Sequence, residues 1–467
     1  MMGPLSLRDF LNQLDKEGEL AHVTRKVDRS WEIAAVTRRV LAYPAPRRPA
    51  LIYESVAGFD MPVVVGLYLN RRRYAKALGI DEGEIAGRWE AALRNPLPHK
   101  MVATGPCKER IMVGDSASLD LLPIPTWTPE RDAAPYITAP CVIAKDPETG
   151  YINVGNYRMM YRGRDRTGIF INPIQDIGMI FEKYRRMGRP MEVAVALGVP
   201  PVMNLVATAK LPHGMNEMDV AGALIGTPLE MVRCETADLP VPATSEVVLE
   251  GEVDPEIREL EGPFGEFAGF MSTTYQMPIF KLRAMTCRDN PIYHAHVSQR
   301  PPSESSMMRS ISNGALLLRD LRALGLRWVT DIYITEAGCA WYNLVVAIKK
   351  GHPAHPRVVM NAIWGAKPMM GKMIVVVDED IDIRDPFQVE WAIATRVQPD
   401  RDVVIVKDYV GQVEDPSQIE EMRHLSSKMG IDATKKHPYP EPSLPPEKYM
   451  KQVAEAWEDY GIRPLEV

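Results

Sequence analysis

Two carboxylates that flank a turn are the residues of this chain best suited to acid–base chemistry. Glu261 and Glu266 are five positions apart, with Gly262, Pro263 and Gly265 between them. In a straight strand, positions separated by an odd number point to opposite faces, so the two carboxylates meet only if the chain bends. Gly and Pro permit such a bend. Two carboxylates that share a site cannot both ionise freely, which is one way to obtain a general acid near neutral pH.

A surface turn with two solvated glutamates is the alternative interpretation, because acidic residues beside Gly and Pro are ordinary turn composition. An arginine bears on the choice. Arg158 ends a predicted strand over residues 151–158, which Gly155 could bulge. A guanidinium beside one glutamate would hold it ionised and leave the other free to carry a proton. A single Arg after a strand is nevertheless more often a surface ion-pair partner.

Oxygen ligands for a hard cation are a second candidate feature. Asn153 lies in the same predicted strand, and Glu235 stands near a strand end ahead of a Pro-containing loop. An amide oxygen and a carboxylate suit Mg²⁺, Mn²⁺ or a monovalent ion, and they do not suit soft metals. Lys367 lies in a Gly-rich loop where a cation could meet phosphate, although a solvated lysine is equally ordinary there.

Several common signatures are absent from the sequence. There is no G-x-x-x-x-G-K-[ST] loop and no G-x-G-x-x-G at a helix start, so neither an ATP nor a dinucleotide motif is indicated. The G-x-S-x-G and H-E-x-x-H patterns of two hydrolase classes are also missing. The five cysteines include no C-x-x-C pair, which argues against a zinc knuckle or a redox dithiol.

Length, composition and charge indicate a large globular protein. Single cores usually stop growing near ~250–300 residues, so a chain of 467 residues predicts two or three domains. The formal net charge of −6, without a basic tail, argues against nucleic acid as a partner. No apolar run approaches the roughly 18–20 residues that span a bilayer, and the first residues lack the apolar core of a secretion signal. We therefore expect a cytoplasmic protein without a membrane span.

The predicted elements change in character along the chain. Helices and strands alternate over residues 1–110, which predicts an α/β module. Short β-rich runs dominate residues 111–303 and favour a sheet or barrel with inserted helices. A long helix over residues 304–325, ended by Gly325, connects this part to strands and helices in alternation over residues 326–467. That alternation predicts a parallel or mixed sheet, followed by a Pro-rich arm over 435–446 and a last helix over 447–460.

Four motifs in order along the chain resemble those of the UbiD family of decarboxylases, which use prenylated FMN. They are Asn153-Val-Gly-Asn-Tyr-Arg158, Val232-Arg-Cys-Glu-Thr236 with Val241-Pro-Ala-Thr-Ser-Glu246, Leu260-Glu-Gly-Pro-Phe-Gly-Glu266 and Val377-Asp-Glu-Asp-Ile-Asp382. The resemblance covers nearly the whole chain. It implies an α+β multidomain fold: an N-terminal α/β module, a central split β-barrel of flavin-reductase type, and a C-terminal α/β domain used in oligomerisation. A homodimer or larger homo-oligomer is therefore expected.

The resemblance also implies roles for particular residues. Glu261, Arg158 and Glu266 correspond to the catalytic triad of the family, with Glu266 as proton donor. Asn153 and Glu235 correspond to ligands of a divalent ion, Mn²⁺ or Mg²⁺, with K⁺ or Na⁺ nearby. Asp176 stands where some relatives carry a metal-ligating His, and its oxygen could bind a hard cation. Contacts to prenylated FMN are expected from Asn156, Tyr157, Arg158, Gln175, Thr208 and Lys367.

The implied reaction is a reversible, non-oxidative decarboxylation. Loss of CO₂ from an sp² carbon leaves an electron pair that no side chain can accept, so a cofactor must act as the sink. In the family, prenylated FMN forms a covalent adduct with the substrate, and an acid then protonates the carbon that bore the carboxyl group. An aromatic, heteroaromatic or α,β-unsaturated acid would serve as substrate. A flavin prenyltransferase would supply the cofactor.

His296 and Arg309 lie where family members shape the substrate pocket, so they are candidates to hold a second polar or carboxylate group; a structural or solvated role is equally open. Two other functions compete with the decarboxylase. An FMN-dependent reductase on the same barrel would need a nicotinamide site and would not need the triad. A non-catalytic subunit of a larger aromatic carboxylase assembly should have lost triad or metal residues, which this chain keeps.

Overall fold

The three parts of the protein are joined by one long helix. The structure is a computed structural model, and it describes residues 2–419, 421, 424–441 and 443–462. An N-terminal module packs against a central, mostly antiparallel sheet, and the connecting helix leads to a smaller C-terminal sheet. This arrangement agrees with the expected α/β multidomain organisation.

The N-terminal module begins with a capped amphipathic helix. The Ser6 hydroxyl accepts a hydrogen bond from the Asp9 backbone N–H at 3.1 Å, as expected of an N-cap. Four apolar side chains repeat at helical spacing and are buried: Leu7, Phe10, Leu11 and Leu14. The elements of the module are α1 (Leu7–Lys16), β1 (Leu20–Val23), α2 (Glu32–Leu41), β2 (Ala50–Tyr53), β3 (Val63–Val65), α3 (Arg71–Leu78) and α4 (Ile85–Arg94).

The central part is built on a long antiparallel hairpin. Its two longest strands pair with each other, and shorter strands extend the sheet on both sides. The strands are β4 (Lys100–Met101), β5 (Arg110–Val113), β6 (Tyr136–Ile137), β7 (Cys141–Lys145), β8 (Ile152–Gly155), β9 (Met159–Tyr161), β10 (Arg166–Ile169), β11 (Met191–Leu197), β12 (Glu230–Arg233), β13 (Pro240–Pro242), β14 (Val247–Glu261), β15 (Tyr275–Cys287) and β16 (Tyr293–His294). The helices are α5 (Asp176–Arg186), α6 (Pro201–Ala207) and α7 (Glu217–Ile225).

The main central sheet has the order β6-β9-β10-β15-β14-β11-β7-β8, with β5 also on β15. It forms a half-barrel; the flavin-reductase type of split barrel remains a prediction from the sequence. Strand β16 leaves this sheet and pairs in parallel with β3, so Tyr293 and His294 extend the sheet of the N-terminal module. The β16–β3 pairing therefore joins the two parts through backbone hydrogen bonds.

The connecting helix α8 (Glu304–Ala323) packs on both of its neighbours. Its first residue is buried, and the Glu304 carboxylate accepts hydrogen bonds from the backbone N–H groups of Tyr68 and Val297 at 3.2 and 3.0 Å. The helix ends before Gly325, whose φ of +89° suits glycine. The expected helix and its stop are thus confirmed.

The C-terminal part carries a mixed sheet in the order β17-β18-β19-β21-β20, as expected. Residue 442 of the predicted arm over 435–446 and residues 463–467 at the end of the domain lie outside the described residues. No helix in the described ranges is long and apolar enough to cross a membrane. The elements are β17 (Val329–Ile334), β18 (Asn343–Ile348), α9 (His355–Ala366), β19 (Met373–Asp378), α10 (Pro386–Arg396), α11 (Pro399–Asp402), β20 (Val403–Val410), β21 (Leu425–Asp432) and α12 (Glu447–Glu455).

Candidate active site

One arginine joins the two glutamates of the turn. Arg158 donates from Nε and Nη2 to the two oxygens of Glu261, both at 2.9 Å, and from Nη1 to Oε1 of Glu266. The Glu261 side chain has no exposed surface, whereas those of Arg158 and Glu266 are 12% and 16% exposed. The bidentate pair fixes Glu261 completely, while Glu266 keeps one oxygen, Oε2, without a hydrogen-bond partner among the described residues.

The bend that the sequence requires between the two carboxylates is present. Glu261 is the last residue of β14 and lies opposite Tyr275. Gly262 follows with φ +89°, a conformation that residues with a Cβ rarely adopt. The Glu266 N–H then donates to the Phe270 carbonyl at 2.8 Å, which closes a compact loop. The interpretation as a solvated surface turn is thereby excluded.

Two aromatic rings cover the arginine. The Arg158 guanidinium lies 4.1 Å from the centre of the Phe170 ring and 5.1 Å from that of Phe264. Burial alone would lower the pKa of Arg158, but the charge of Glu266 and the hydrogen bonds and charge of Glu261 outweigh it and raise the pKa. The site therefore holds a permanent cation between its two carboxylates.

Asp132 supports the loop from behind and was not singled out from the sequence. Its carboxylate accepts hydrogen bonds from the N–H groups of Gly265 at 3.2 Å, Trp127 at 3.0 Å and Thr128 at 2.6 Å. Burial raises the pKa of Asp132 to about 6, against the opposing effect of these hydrogen bonds. Asp132 thus fixes the backbone just before Glu266.

Asn153 meets a different acid from the one expected. Its amide Nδ2 donates to Glu217 Oε1 at 3.4 Å, and its Oδ1 accepts from the Tyr157 hydroxyl at 3.1 Å. Glu217 is buried at the start of α7, where its other oxygen accepts from the Val154 N–H at 3.2 Å. Burial raises the pKa of Glu217 to about 8, and the nearby charge of Asp176 adds to the effect.

Glu235 lies elsewhere. Its carboxylate pairs with Lys108 at 2.5 Å, and its backbone N–H donates to Glu250 at 2.8 Å. The described contacts therefore do not include the predicted pairing of Glu235 with Asn153. The correction has a structural reason: Glu235 follows β12, which pairs with β13 and β4, and these three strands form a sheet apart from the β8 strand of Asn153.

Asp176, Asn153 and Glu217 together offer oxygen ligands for a hard cation. Asp176 begins α5 and bonds to His213 at 2.7 Å, in the loop that leads into α7. Within the described part of the chain, no three His, Cys, Asp or Glu side chains form a metal centre. The arrangement instead combines two carboxylates with an amide oxygen, which suits Mn²⁺ or Mg²⁺. A buried carboxylate without a cation beside it is costly, so Glu217 itself favours a bound ion.

Cations gather near the expected phosphate contacts. Lys210 is exposed, and its pKa is lowered first by desolvation and then by the charges of Arg309 and Lys367. Lys367 also pairs with Asp320 at 3.4 Å. Thr208, two residues before Lys210, ends α6 and donates its hydroxyl to the Asn204 and Leu205 carbonyls, each at 3.1 Å. Three cations that repel one another suit a phosphate dianion.

His296 lies in a buried aromatic cluster beside the site. Its Nδ1 is 3.5 Å from the Asn156 amide, and its ring packs edge-on against His294 and Tyr68, with centroids 4.7 and 5.8 Å apart. Burial lowers the pKa of His296, and His294 adds to the effect. The Nε2 atom of His296 and the hydroxyl of Tyr136 are buried without a hydrogen-bond partner in the described ranges. A bound flavin or substrate could satisfy such atoms.

The remaining predicted contacts are placed as follows. The Arg309 guanidinium lies 5.1 Å from the ring centre of Phe267, which follows Glu266 in the chain. Burial lowers the pKa of Arg309. Gln175 precedes the first residue of α5 without capping it. A Cβ at Gly155 would overlap the Tyr157 ring, so that glycine allows Tyr157 to reach Asn153. The structure thus places Arg158, Glu261 and Glu266 in contact, and it places Glu217 rather than Glu235 beside Asn153.

Family models match almost the whole chain in three consecutive segments. Residues 11–93 match the N-terminal domain of 3-octaprenyl-4-hydroxybenzoate carboxy-lyase, UbiD. Residues 100–301 match its Rift-related domain, and residues 306–433 match its C-terminal domain. These boundaries separate the same three parts that the fold shows.

Individual relatives are similar over nearly their full lengths. An uncharacterized protein of Archaeoglobus fulgidus is 36% identical over 463 residues, which cover 92% of each chain. The solved structure of the UbiD-class enzyme HmfF from Pelotomaculum thermopropionicum with FMN has a TM-score of 0.89 and 37% identity, covering 96% of this chain and 99% of that one. The vanillic acid decarboxylase of Sedimentibacter hydroxybenzoicus in open form has a TM-score of 0.88 and 28% identity, with coverages of 98% and 100%.

Proposed function

Because the chain belongs to the UbiD family, we propose that it is a reversible, non-oxidative decarboxylase that acts with bound prenylated FMN. Its substrate is an aromatic, heteroaromatic or α,β-unsaturated carboxylic acid. HmfF has been solved with FMN and with prFMN, and the Sedimentibacter relative is a vanillic acid decarboxylase. Homo-oligomers and a flavin prenyltransferase as cofactor supplier belong to the same proposal.

The observation that carries the proposal is the unequal bonding of the two glutamates. Glu261 has both oxygens bonded to Arg158 and is fully buried, so it has no free oxygen to take part in proton transfer. Glu266 shares only one oxygen with that arginine and is partly exposed. A proton on the second oxygen of Glu266 is therefore free to move to a carbon atom placed above it.

The residues of the site have separate roles in the proposed decarboxylation. Prenylated FMN, when bound, supplies the sink for the electron pair that CO₂ leaves behind. Glu266 donates the proton that replaces the carboxyl group, and Arg158 with Glu261 sets the charge around it. The rings of Phe170 and Phe264 exclude water from the arginine side. In the carboxylation direction, the ionised Glu266 takes the proton back.

Residues for the cofactor phosphate and its cation are also present. Lys210, Lys367 and Thr208 would hold the phosphate, with Asn156 and His296 nearer the flavin ring. Asn153, Asp176 and Glu217 would hold Mn²⁺ or Mg²⁺, which would neutralise phosphate charge. K⁺ or Na⁺ nearby remains a proposal without assigned ligands. Tyr157, Gln175 and Arg309 complete the proposed contacts, Arg309 toward a second polar group of the substrate.

Two alternatives have less support. A non-catalytic subunit should have lost part of the triad, and this chain retains all three residues in contact. A flavin reductase has no use for a buried arginine bonded to two carboxylates. Neither alternative explains Glu217 beside Asn153.

Loading and assay test the proposal directly. We expect protein produced together with a flavin prenyltransferase to bind a flavin, visible by absorbance, and to release CO₂ from at least one acid in a panel of furan, pyrrole, phenolic and cinnamic acids. Protein produced without the prenyltransferase should remain inactive with the same acids. Flavin-loaded protein that exchanges CO₂ with no member of the panel or its decarboxylated products would argue for the subunit.

The proposed cation site predicts different effects on Mn²⁺ binding for substitutions of Glu217 and Glu235. We expect Glu217→Gln to weaken Mn²⁺ binding by at least about tenfold, because it removes a charged ligand. Glu235→Gln, the matched control, should leave Mn²⁺ binding unchanged, because Glu235 pairs with Lys108 instead. For each variant, titration calorimetry measures the affinity for Mn²⁺, and the flavin content after gel filtration measures cofactor retention. Weakened binding in Glu235→Gln alone would restore the assignment made from the sequence.

A further inference from the structure

A cavity of about 400 Å³ lies beside α8, where the N-terminal module, α8 and the C-terminal sheet meet. Its walls come from α3 and α4 of the N-terminal module, from α8, and from β17 of the C-terminal sheet. The volume falls within the range of about 300–1,000 Å³ typical of small-molecule sites. The residues given roles in decarboxylation do not line it.

The floor of this junction cavity is apolar. Ile85, Ile311, Leu318 and Ile332 line it, and each is almost entirely buried in the surrounding core. Small residues leave the space open: Ala86, Gly314 and Ala315 stand where larger side chains would fill it. A Cβ at Gly314 would come within 3.3 Å of the Ile332 carbonyl, so helix and strand approach closely there.

The rim of the cavity is charged but balanced: three arginines face three carboxylates, and the fourth carboxylate, Glu17, pairs with Lys76. Arg384 pairs with Asp331, with Nη2 and Oδ1 3.2 Å apart. Arg72 lies 3.5 Å from Glu19, measured between Nε and Oε1. Arg71 faces Glu82 across 3.8 Å. Since every arginine on the rim has an acidic partner, the cavity offers no net attraction for an anion.

One donor on the rim has no partner. The Nε atom of Arg384 is buried and forms no hydrogen bond within the described residues, although both terminal nitrogens of that guanidinium bond to Asp331. A buried donor without an acceptor is costly, and an oxygen atom of a bound molecule could satisfy it. The apolar floor, the neutral rim and the one free donor together determine the chemistry of a molecule that would fit the cavity.

We propose that the junction cavity is a binding site for an uncharged amphipathic small molecule, with its apolar body on α8 and an acceptor oxygen toward Arg384. Such a molecule contacts the N-terminal module, α8 and the C-terminal sheet at once. Helix α8 presents Ile311 to the cavity and Arg309, two positions earlier and about 200° around the helix, to Phe267 beside the triad. Occupation of the cavity therefore stiffens a helix that also forms part of the candidate active site.

Two dyes of similar shape test the charge preference in the flavin-loaded protein. N-phenyl-1-naphthylamine is uncharged, and 1-anilinonaphthalene-8-sulfonate adds a sulfonate to the same framework. We expect the uncharged dye to bind saturably with one site per chain, at least tenfold more tightly than the sulfonate, and to raise the unfolding temperature. Absence of saturable binding, or equal affinity for the two dyes, would overturn the proposal.

Variants locate the dye. Ala315→Phe and Ala86→Phe fill the cavity from two different helices, α8 and α4, and each should weaken binding of the uncharged dye at least tenfold. Ala323→Phe makes the same change at an exposed position of α8 and should bind as the unaltered protein does. Wild-type affinity in both filled variants, with flavin content and circular dichroism unchanged, contradicts the site. If neither folds, a structure of the unaltered protein soaked with the dye decides by where the dye lies.

Discussion

Glu266→Gln should lower the rate of decarboxylation by about 10²–10⁴-fold, the usual contribution of a general acid. Glutamine keeps the size of the side chain and can still accept the bond from Arg158, so the loop and the flavin content should not change. Glutamine cannot donate the proton that decarboxylation requires, because its amide is not a carboxylic acid. The loss should therefore appear in kcat at saturating substrate, with little effect on KM.

A glutamate on β14, the strand that precedes the loop of Glu266, provides the control for this substitution. Glu259 also pairs with arginines, Arg162 and Arg166, each at 2.8 Å, but it lies outside the site. Glu259→Gln should retain wild-type kcat. Both variants are assayed by CO₂ release after their flavin absorbance has been matched. Full activity in Glu266→Gln would remove Glu266 as proton donor and leave the acid to be sought elsewhere.

Arg158→Met should cost about 3–5 kcal/mol of unfolding free energy and abolish activity. Removing one partner of a buried ion pair leaves the other charge without compensation, and Glu261 is fully buried. The apolar side chain of Met still fills much of the space between the Phe170 and Phe264 rings. The loss therefore measures the isolated carboxylate rather than a cavity. Urea unfolding followed by circular dichroism gives the value, provided that the transition is two-state.

An exposed arginine gives the comparison for this second variant. Arg166 pairs with Glu259 at 2.8 Å, close to the 2.9 Å between Arg158 and Glu261, but its side chain is 48% exposed, so Arg166→Met should cost no more than about 1 kcal/mol. The double variant Arg158→Met with Glu261→Gln should recover part of the lost stability, because the buried charge is gone. Equal losses for Arg158→Met and Arg166→Met would mean that burial adds nothing to the triad.

Local patterns in the sequence predicted the elements and the bend well. The apolar stripe of α1 and its Ser6 cap, and the stop of α8 at Gly325, follow from helix periodicity and capping rules. The odd spacing and the glycines allowed a bend between Glu261 and Glu266, whereas the contact of Arg158 with both glutamates was expected from the resemblance to the UbiD family, because Arg158 lies 103 positions before Glu261. The helix patterns and the bend depend on neighbours in the chain, which a sequence displays directly.

The contacts missed from the sequence depend on pairings between distant segments. Glu217 reaches Asn153 because α7 packs beside β8, 64 positions earlier in the chain. The available signal was a carboxylate at the start of an otherwise apolar helix. Asp132 reaches Gly265 across 133 positions. Lys210 had a weaker signal still, as a loop lysine two residues after Thr208. Sheet order likewise rests on long-range pairing, so the barrel type could not be read from strand positions.

The parallel pairing of β16 with β3 limits how this protein could be recombined with its relatives. Strand β16, which leads to His296, pairs with β3 of the N-terminal module. Tyr68 of that module packs on the rings of His294 and His296. A chimera cut between the matched segments, near residue 100, would pair one relative's strand β3 with another's β16. Productive chimeras should therefore take residues 63–68 and 293–297 from the same parent protein, although the two segments lie far apart in the chain.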